Sequence, residues 1–296
     1  MPPPDQTAVP ARSVQHHPAH KFRAPTSIQR GQPLKALLDE DLIALIAESF
    51  AAVHPDFDRQ RFVRSATAGL AARELMPRAE HIAQALASEL PTTTAAAADL
   101  LIAALGPELT VTEGFGLAPF FYLPHVAVIK TRLIDDCAAG MRANYAVTKC
   151  FSAEFSVRPY LLRYPDQALA LFATWTSDPN PHVRRLVSEG SRPRLPWAGR
   201  LAPFQRDPTP TIALLERLKD DPSAYVRRSV ANHVGDIAKD HPAVAFALGR
   251  RWLEEVGATP AGADRRALIR HAVRLPAQRG DRVALRLRQD AGGRIP

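Results

Sequence analysis

The string Asp-Pro-Asn-Pro-His-Val-Arg-Arg at residues 178–185 returns as Asp-Pro-Ser-Ala-Tyr-Val-Arg-Arg at 221–228, and this recurrence constrains the fold more than any other feature of the chain. From Val183-Arg184-Arg185 to Val226-Arg227-Arg228 the interval is 43 residues. That period matches a two-helix unit of about 40–47 residues, which cannot bury its apolar face alone and must stack on a neighbour. Stacking sets equivalent residues in a row along one face of the array.

The architecture expected is an all-α, HEAT-like helical-repeat solenoid with a concave basic groove. Charge follows the repeats: residues 182–228 hold ten Lys or Arg against five Asp or Glu, and residues 264–294 hold nine Arg against three Asp, within a formal net charge of +8. Such clustering is the footprint of a polyanion binder, because each phosphate contact releases condensed counterions. A chain of 296 residues with 46% hydrophobic but 7% aromatic content suits an Ala- and Leu-rich helical array. Cys137 and Cys150 are the two cysteines, and neither sits in a metal-ligand or disulfide-framework spacing. With no apolar run of membrane-spanning length and no signal core, a cytoplasmic, nucleoid-associated location is expected, with no metal, no organic cofactor and no membrane partner.

Residues 1–30, rich in Pro, Gln and His, read as a disordered tail; His16, His17 and His20 in it are too loosely placed to build a metal site. Residues 31–290 read as one repeat domain. Leu38, Leu42, Leu45, Ile46 and Phe50 keep helical spacing up to Pro55, and further helices are predicted at 58–75, 76–89, 94–105 and around 128–139. The stretch 111–126 breaks the pattern with two glycines, two prolines and four aromatics. It either presents Phe120, Phe121 and Tyr122 at a groove or plugs the core with them. Glu154 and Arg158 stand at i, i+4, the spacing of an ordinary helix ion pair.

Four segments, GQPLKALLDEDL from residue 31, SAEFSVRPYL at 152–161, DPNPHVRRLVSEGSRPRLPW at 178–197 and DDPSAYVRRSVANHVGDIAKDHP at 220–242, together resemble the AlkC branch of the AlkC/AlkD alkylpurine DNA glycosylases. The resemblance runs over roughly residues 31–275 and implies a HEAT-like array that removes N3- or N7-alkylated purines from duplex DNA. Longer relatives add a C-terminal immunoglobulin-like domain, and a short form without it is expected here. The partner implied is double-stranded DNA carrying alkylated purines, gripped by its distorted backbone rather than by a deep base pocket.

An N3- or N7-alkylated purine is already cationic and leaves readily, so the charge to be stabilised develops on the sugar. A carboxylate near C1′ meets that need. Glu154, inside the matching SAEF motif, is the first candidate. Trp197 either packs on an exposed sugar or base face or anchors a repeat interface beneath Pro196. Arg158, Arg184, Arg185, Arg192, Arg194, Arg227 and Arg228 are the expected phosphate ligands, with one arginine of each adjacent pair turned outward. Asn232 caps or braces neighbouring units or bonds a phosphate, Glu189 is either a second acid or a helix-end residue, and His271 follows as a weaker candidate. Lys130, Lys149, Lys219 and Lys239 show no setting for Schiff-base chemistry, so strand cleavage is not expected. The competing reading is a non-catalytic repeat module that binds DNA or an acidic protein.

Overall fold

The computed structural model describes residues 17–294, and every element among them is helical. The chain divides into two compact units, one ending at Phe151 and the other beginning at Ser152, where the sequence anticipates one array over 31–290. Among the described residues no helix is long and apolar enough to cross a membrane.

The first unit contains α1 (Glu40–Ala51), α2 (Arg59–Thr67), α3 (Leu75–Ala87), α4 (Thr94–Ala103), α5 (Leu123–Arg132) and α6 (Cys137–Cys150). Short polar side chains start several of them: Asp39, Asp58 and Asp136 accept from the backbone N–H three residues on, at 2.9, 2.9 and 3.0 Å. Capping by Asp136 also explains why the single helix expected around 128–139 is two, with α5 ending at Arg132. The helix expected over 58–75 stops at Thr67, before Gly69 takes a left-handed φ of 65°. Leu42, Ile43, Ile46, Phe50, Phe62 and Ile82 are fully buried, each contributing about 1.5–3 kcal/mol.

The irregular stretch 111–126 is a core plug. Phe121 and Tyr122 are buried on the short 3-10 turn Ala118–Tyr122, with Phe121 against Phe22 and Tyr122 and both rings against His125. The tail expected over 1–30 lies outside the described residues as far as residue 16. Within its remainder Pro18 and Phe22 are buried, whereas residues 26–30 are exposed. His17 bonds the Ala104 carbonyl oxygen at 3.1 Å and accepts from Ala19 N–H, so its ring fixes the Pro18–Lys21 turn against the unit.

The second unit contains α7 (Arg158–Arg163), α8 (Pro165–Trp175), α9 (Pro181–Gly190), α10 (Ala202–Arg206), α11 (Thr209–Leu218), α12 (Ala224–Asp240), α13 (Pro242–Val256), α14 (Ala263–Ala272), α15 (Arg274–Gln278) and α16 (Arg282–Asp290). Helices α9, α12 and α14 pack side by side in the order of the sequence repeat. Val183 and Val187 on α9 and Val226 and Val230 on α12 are buried at equivalent positions of the repeat, next to the arginines in sequence. Each repeat enters its helix through an Asx turn: Asp178 accepts from Asn180 N–H and Asp221 from Ser223 N–H, both at 2.8 Å.

Candidate functional site

Residues 152–157 form a turn, not a helix, so Glu154 and Arg158 do not make the i, i+4 pair that their spacing allows. Glu154 instead turns toward α9. Its Oε2 accepts from Ser152 Oγ at 2.9 Å and from Arg185 Nη1 at 3.0 Å. Arg185 lies over the Tyr225 ring, 4.9 Å from its centre, and its Nη2 stands 3.7 Å from Glu189 one turn further along α9. Glu189 Oε1 accepts from Arg192 at 2.6 Å and Oε2 from Ser229 Oγ at 2.6 Å. Arg192 Nε donates to Asp236 at 2.7 Å, and Lys239 donates to the other Asp236 oxygen at 2.8 Å.

Three carboxylates from three segments are thus joined through two guanidinium groups. Side-chain exposure falls along the chain of contacts, 18% for Glu154, 8% for Glu189 and 2% for Asp236, so Glu154 is the acid that faces outward. Burial works against the Arg185 charge, but Glu154 and then Glu189 outweigh it and hold the guanidinium well above its ordinary range. Burial likewise pushes the Glu189 carboxyl up, and Arg185, Arg192 and the Ser229 hydroxyl more than reverse this. Removal of Glu189 from between Arg185 and Arg192 leaves buried charge uncompensated, at a cost of about 3–5 kcal/mol.

The loop after α9 carries Trp197, which is 75% exposed and has φ 62°. Among the described residues no other non-glycine residue has a positive φ. A left-handed conformation costs an L-residue about 1–2 kcal/mol, so the surrounding contacts must enforce it. Arg158 supplies them. Its guanidinium, 4% exposed, donates to the carbonyl oxygens of Gly190 at 3.0 Å, Arg192 at 2.7 Å and Gly199 at 2.6 Å, clamping the loop at both ends. Burial, and then the Arg192 charge, lower the Arg158 guanidinium to about 10, which leaves it protonated at neutral pH. Arg194 ties the same loop to the end of α12 through a two-pronged pair with Asp240, one prong at 2.8 Å. The exposure of Trp197 removes its reading as an interface anchor.

The Arg-Arg pairs separate into two kinds. Arg184 Nη1 donates to the Asp178 and Pro179 carbonyl oxygens at 2.8 and 3.1 Å, and its other nitrogens grip Asp221 at 2.6 and 3.0 Å. One repeat later Arg227 does the same to the Asp221 and Pro222 carbonyl oxygens at 2.6 and 2.9 Å and pairs with Asp264 at 3.0 Å. The first arginine of each pair is therefore a clip that closes its own turn and holds the next. The second is turned away from the clip: Arg185 enters the carboxylate cluster, and Arg228 is exposed. Arg228 is the one of the seven expected phosphate ligands that is exposed; Arg158 and Arg192 are buried, and the others are half-buried in pairs. Asn232 braces the next repeat, its Oδ1 accepting from His271 Nε2 at 2.9 Å and Arg274 Nη2 at 3.2 Å.

Asp236, Ser152 and Arg274 escape a reading by motif alone. The signal for Asp236 is nevertheless in the chain: Ser229, Asn232, His233 and Asp236 fall at i, i+3, i+4 and i+7, a polar stripe between the buried valines of α12. A buried polar stripe needs partners, and Ser188, Glu189 and Arg192 provide them.

No protein-family profile matches the chain. Over 258 residues it is 31% identical to the uncharacterized protein YhaZ of Bacillus subtilis, covering 86% of this chain and 67% of that protein. In three dimensions it is similar to the Pseudomonas fluorescens alkylpurine DNA glycosylase AlkC bound to DNA containing an abasic site analog, with TM-score 0.75 and 36% identity over 86% of this chain and 67% of the other. With the fold, the four motifs and these relatives in agreement, the chain belongs to the AlkC branch of the AlkC/AlkD family of alkylpurine DNA glycosylases.

Proposed function

We propose that the protein hydrolyses the N-glycosidic bond of N3- and N7-alkylated purines in duplex DNA, releasing the base and leaving an abasic site. The observation that carries this reading is the Glu154–Arg185–Glu189–Arg192–Asp236 chain of ion pairs, with Glu154 at its outer end. An alkylated purine departs as a neutral base once its bond to C1′ lengthens, so no acid has to protonate it. What the transition state needs is a fixed negative charge facing the sugar and a water held on that side. Glu154 supplies the charge. Ser152 and Arg185 keep its carboxylate in one orientation before the substrate arrives, which avoids reorganisation during the reaction. Glu189 and Asp236 hold Arg185 and Arg192 in place and so act on Glu154 at one remove. Trp197, projected by its clamped loop, offers a flat apolar face to a sugar or unstacked base.

Purified protein incubated with methylated duplex DNA should release 3-methyladenine faster than the DNA does alone, as read by chromatography of the free bases. Glu154→Gln keeps size and hydrogen bonding but removes the charge, and should slow single-turnover excision by about 10²-fold or more. Its affinity for duplex should stay equal or rise. Excision at the wild-type rate by a folded Gln variant would remove Glu154 from the chemistry. Absence of any base release by protein that still binds duplex would favour the binding-module reading.

A further inference from the structure

One repeat beyond the carboxylate cluster the same positions carry different chemistry. At the 43-residue period, Arg185 is followed by Arg228 and His271, and Glu189 is followed by Asn232. In the first step the arginine meets Glu154 and Glu189; in the second the acid's place is taken by a neutral amide. Asn232 Oδ1 accepts from both His271 Nε2 and Arg274 Nη2, and Arg274 Nη1 donates to the His271 carbonyl oxygen at 2.7 Å. The nearby acids are engaged elsewhere: Asp264 on α14 with Arg227, and Asp236 on α12 with Arg192 and Lys239.

Among the described residues the cleft beside these cations holds one carboxylate, Asp264, and it is paired with Arg227. Burial, then Arg274, then Arg228 push the His271 ring down to about 4, and burial followed by Arg228 and Arg192 lowers the Arg274 guanidinium. Between α12 and α14 lies a cleft of about 260 Å³ lined by Arg227, Arg228, Asp264 and His271 beside Ala231 and Ala267. The two alanines leave room for an anion to approach the Arg228 guanidinium.

We propose that Arg228, together with His271 and Arg274 aligned by Asn232, forms a clamp for a single phosphodiester of the DNA strand, one repeat away from the carboxylate cluster. Its assignment to DNA rests on the function proposed above; the anion chemistry does not. Arg228 and Arg274 bring the charge. His271 in its neutral form donates through Nε2 to Asn232, and a proton added at Nδ1 gives it a second donor for a phosphate oxygen. The charged groups that face the ring are Arg228 from α12 and Arg274 from α15, with Arg227 and Asp264 beside it in the cleft; Arg192 and Asp236 act on Arg274 behind it. An arriving phosphate raises the ring's affinity for a proton. Bound protein therefore carries more protons than free protein, and affinity should rise as pH falls from neutrality toward 5.5.

The test measures anisotropy of labelled duplex containing an abasic analogue, across salt and pH, for the wild type, the double variant Arg228→Ala with Arg274→Gln, and His271→Gln. The double variant should bind about tenfold more weakly, with a log-salt slope smaller by about 1. His271→Gln, which retains a donor to Asn232, should flatten the pH dependence while binding normally near pH 8. Replacing one phosphate at a time with a neutral methylphosphonate should weaken the wild type at one position to which the double variant is indifferent. Unchanged slope in the double variant, or the same methylphosphonate pattern in both proteins, overturns the clamp. Inorganic phosphate, compared with chloride at equal ionic strength, should raise the wild-type melting temperature more than that of the double variant. If that difference is seen but no duplex binds, the anion site stands and the DNA reading fails.

Discussion

Trp197 combines an apolar ring in water with a backbone conformation that favours glycine, two unfavourable features at one residue. Both features fit the substrate-facing role proposed for Trp197. Trp197→Gly should relieve the left-handed strain, and Trp197→Ala should not, so the glycine variant should be the more stable of the two by about 1 kcal/mol in urea denaturation. Both should lose excision alike. Equal stability of the two would show that the loop relaxes without effort and that the strain has no structural consequence. Glu154 and Trp197 stand out as candidates in the sequence because each sits in a short specific string, SAEF and RPRLPW. Asp236 was not, because GDIAKDHP reads as an ordinary helix end until Arg192 is seen to reach it across 44 residues.

At the scale of elements, the repeat announced helices α9 and α12 and their buried valines, since Val183 and Val226 keep the period that stacking demands. Which arginine of each pair serves which purpose was beyond the sequence. Neighbouring positions on a helix point about 100° apart, and only the place of Asp221 and Asp264 in the next repeat decides the matter. The structure divides the pairs, and this predicts opposite behaviour. Arg184→Lys forfeits the two-pronged grip on Asp221 and both carbonyl contacts, and should lose about 2–3 kcal/mol of stability. Arg228→Ala should change stability by less than about 0.5 kcal/mol, yet weaken DNA binding. Denaturation and binding measured on the same two variants test the division: comparable stability losses would show that Arg228 is also structural.

For the molecule as a whole, acid should act on both units through buried neutral histidines. His125 in the first unit is pushed to about 3, by burial and then by His17; His233 in the second is pushed to about 4 by burial. Both folded values lie below the ordinary value of about 6.5, so the unfolded chain binds more protons in between. Their contribution is complete above pH 6.5 and is lost as pH falls toward 4, at up to about 3 kcal/mol for His233. The melting temperature should therefore drop across this window, and His233→Leu should flatten the drop in the second unit. A profile as steep in the variant as in the wild type would assign the acid sensitivity to the carboxylates. The clips give the second unit a further collective property. Asp221 is held by Arg184 of the preceding repeat while its own carbonyl oxygen is held by Arg227, which reaches on to Asp264. Each link thus belongs to two repeats, and local melting cannot stop at a repeat boundary. The unfolding free energy of such an array resides in the couplings between neighbours as much as in the units. Breaking the Arg184 and Arg227 clips together should therefore cost measurably less than the sum of the two single losses, because the first break already uncouples the neighbour on which the second one acts.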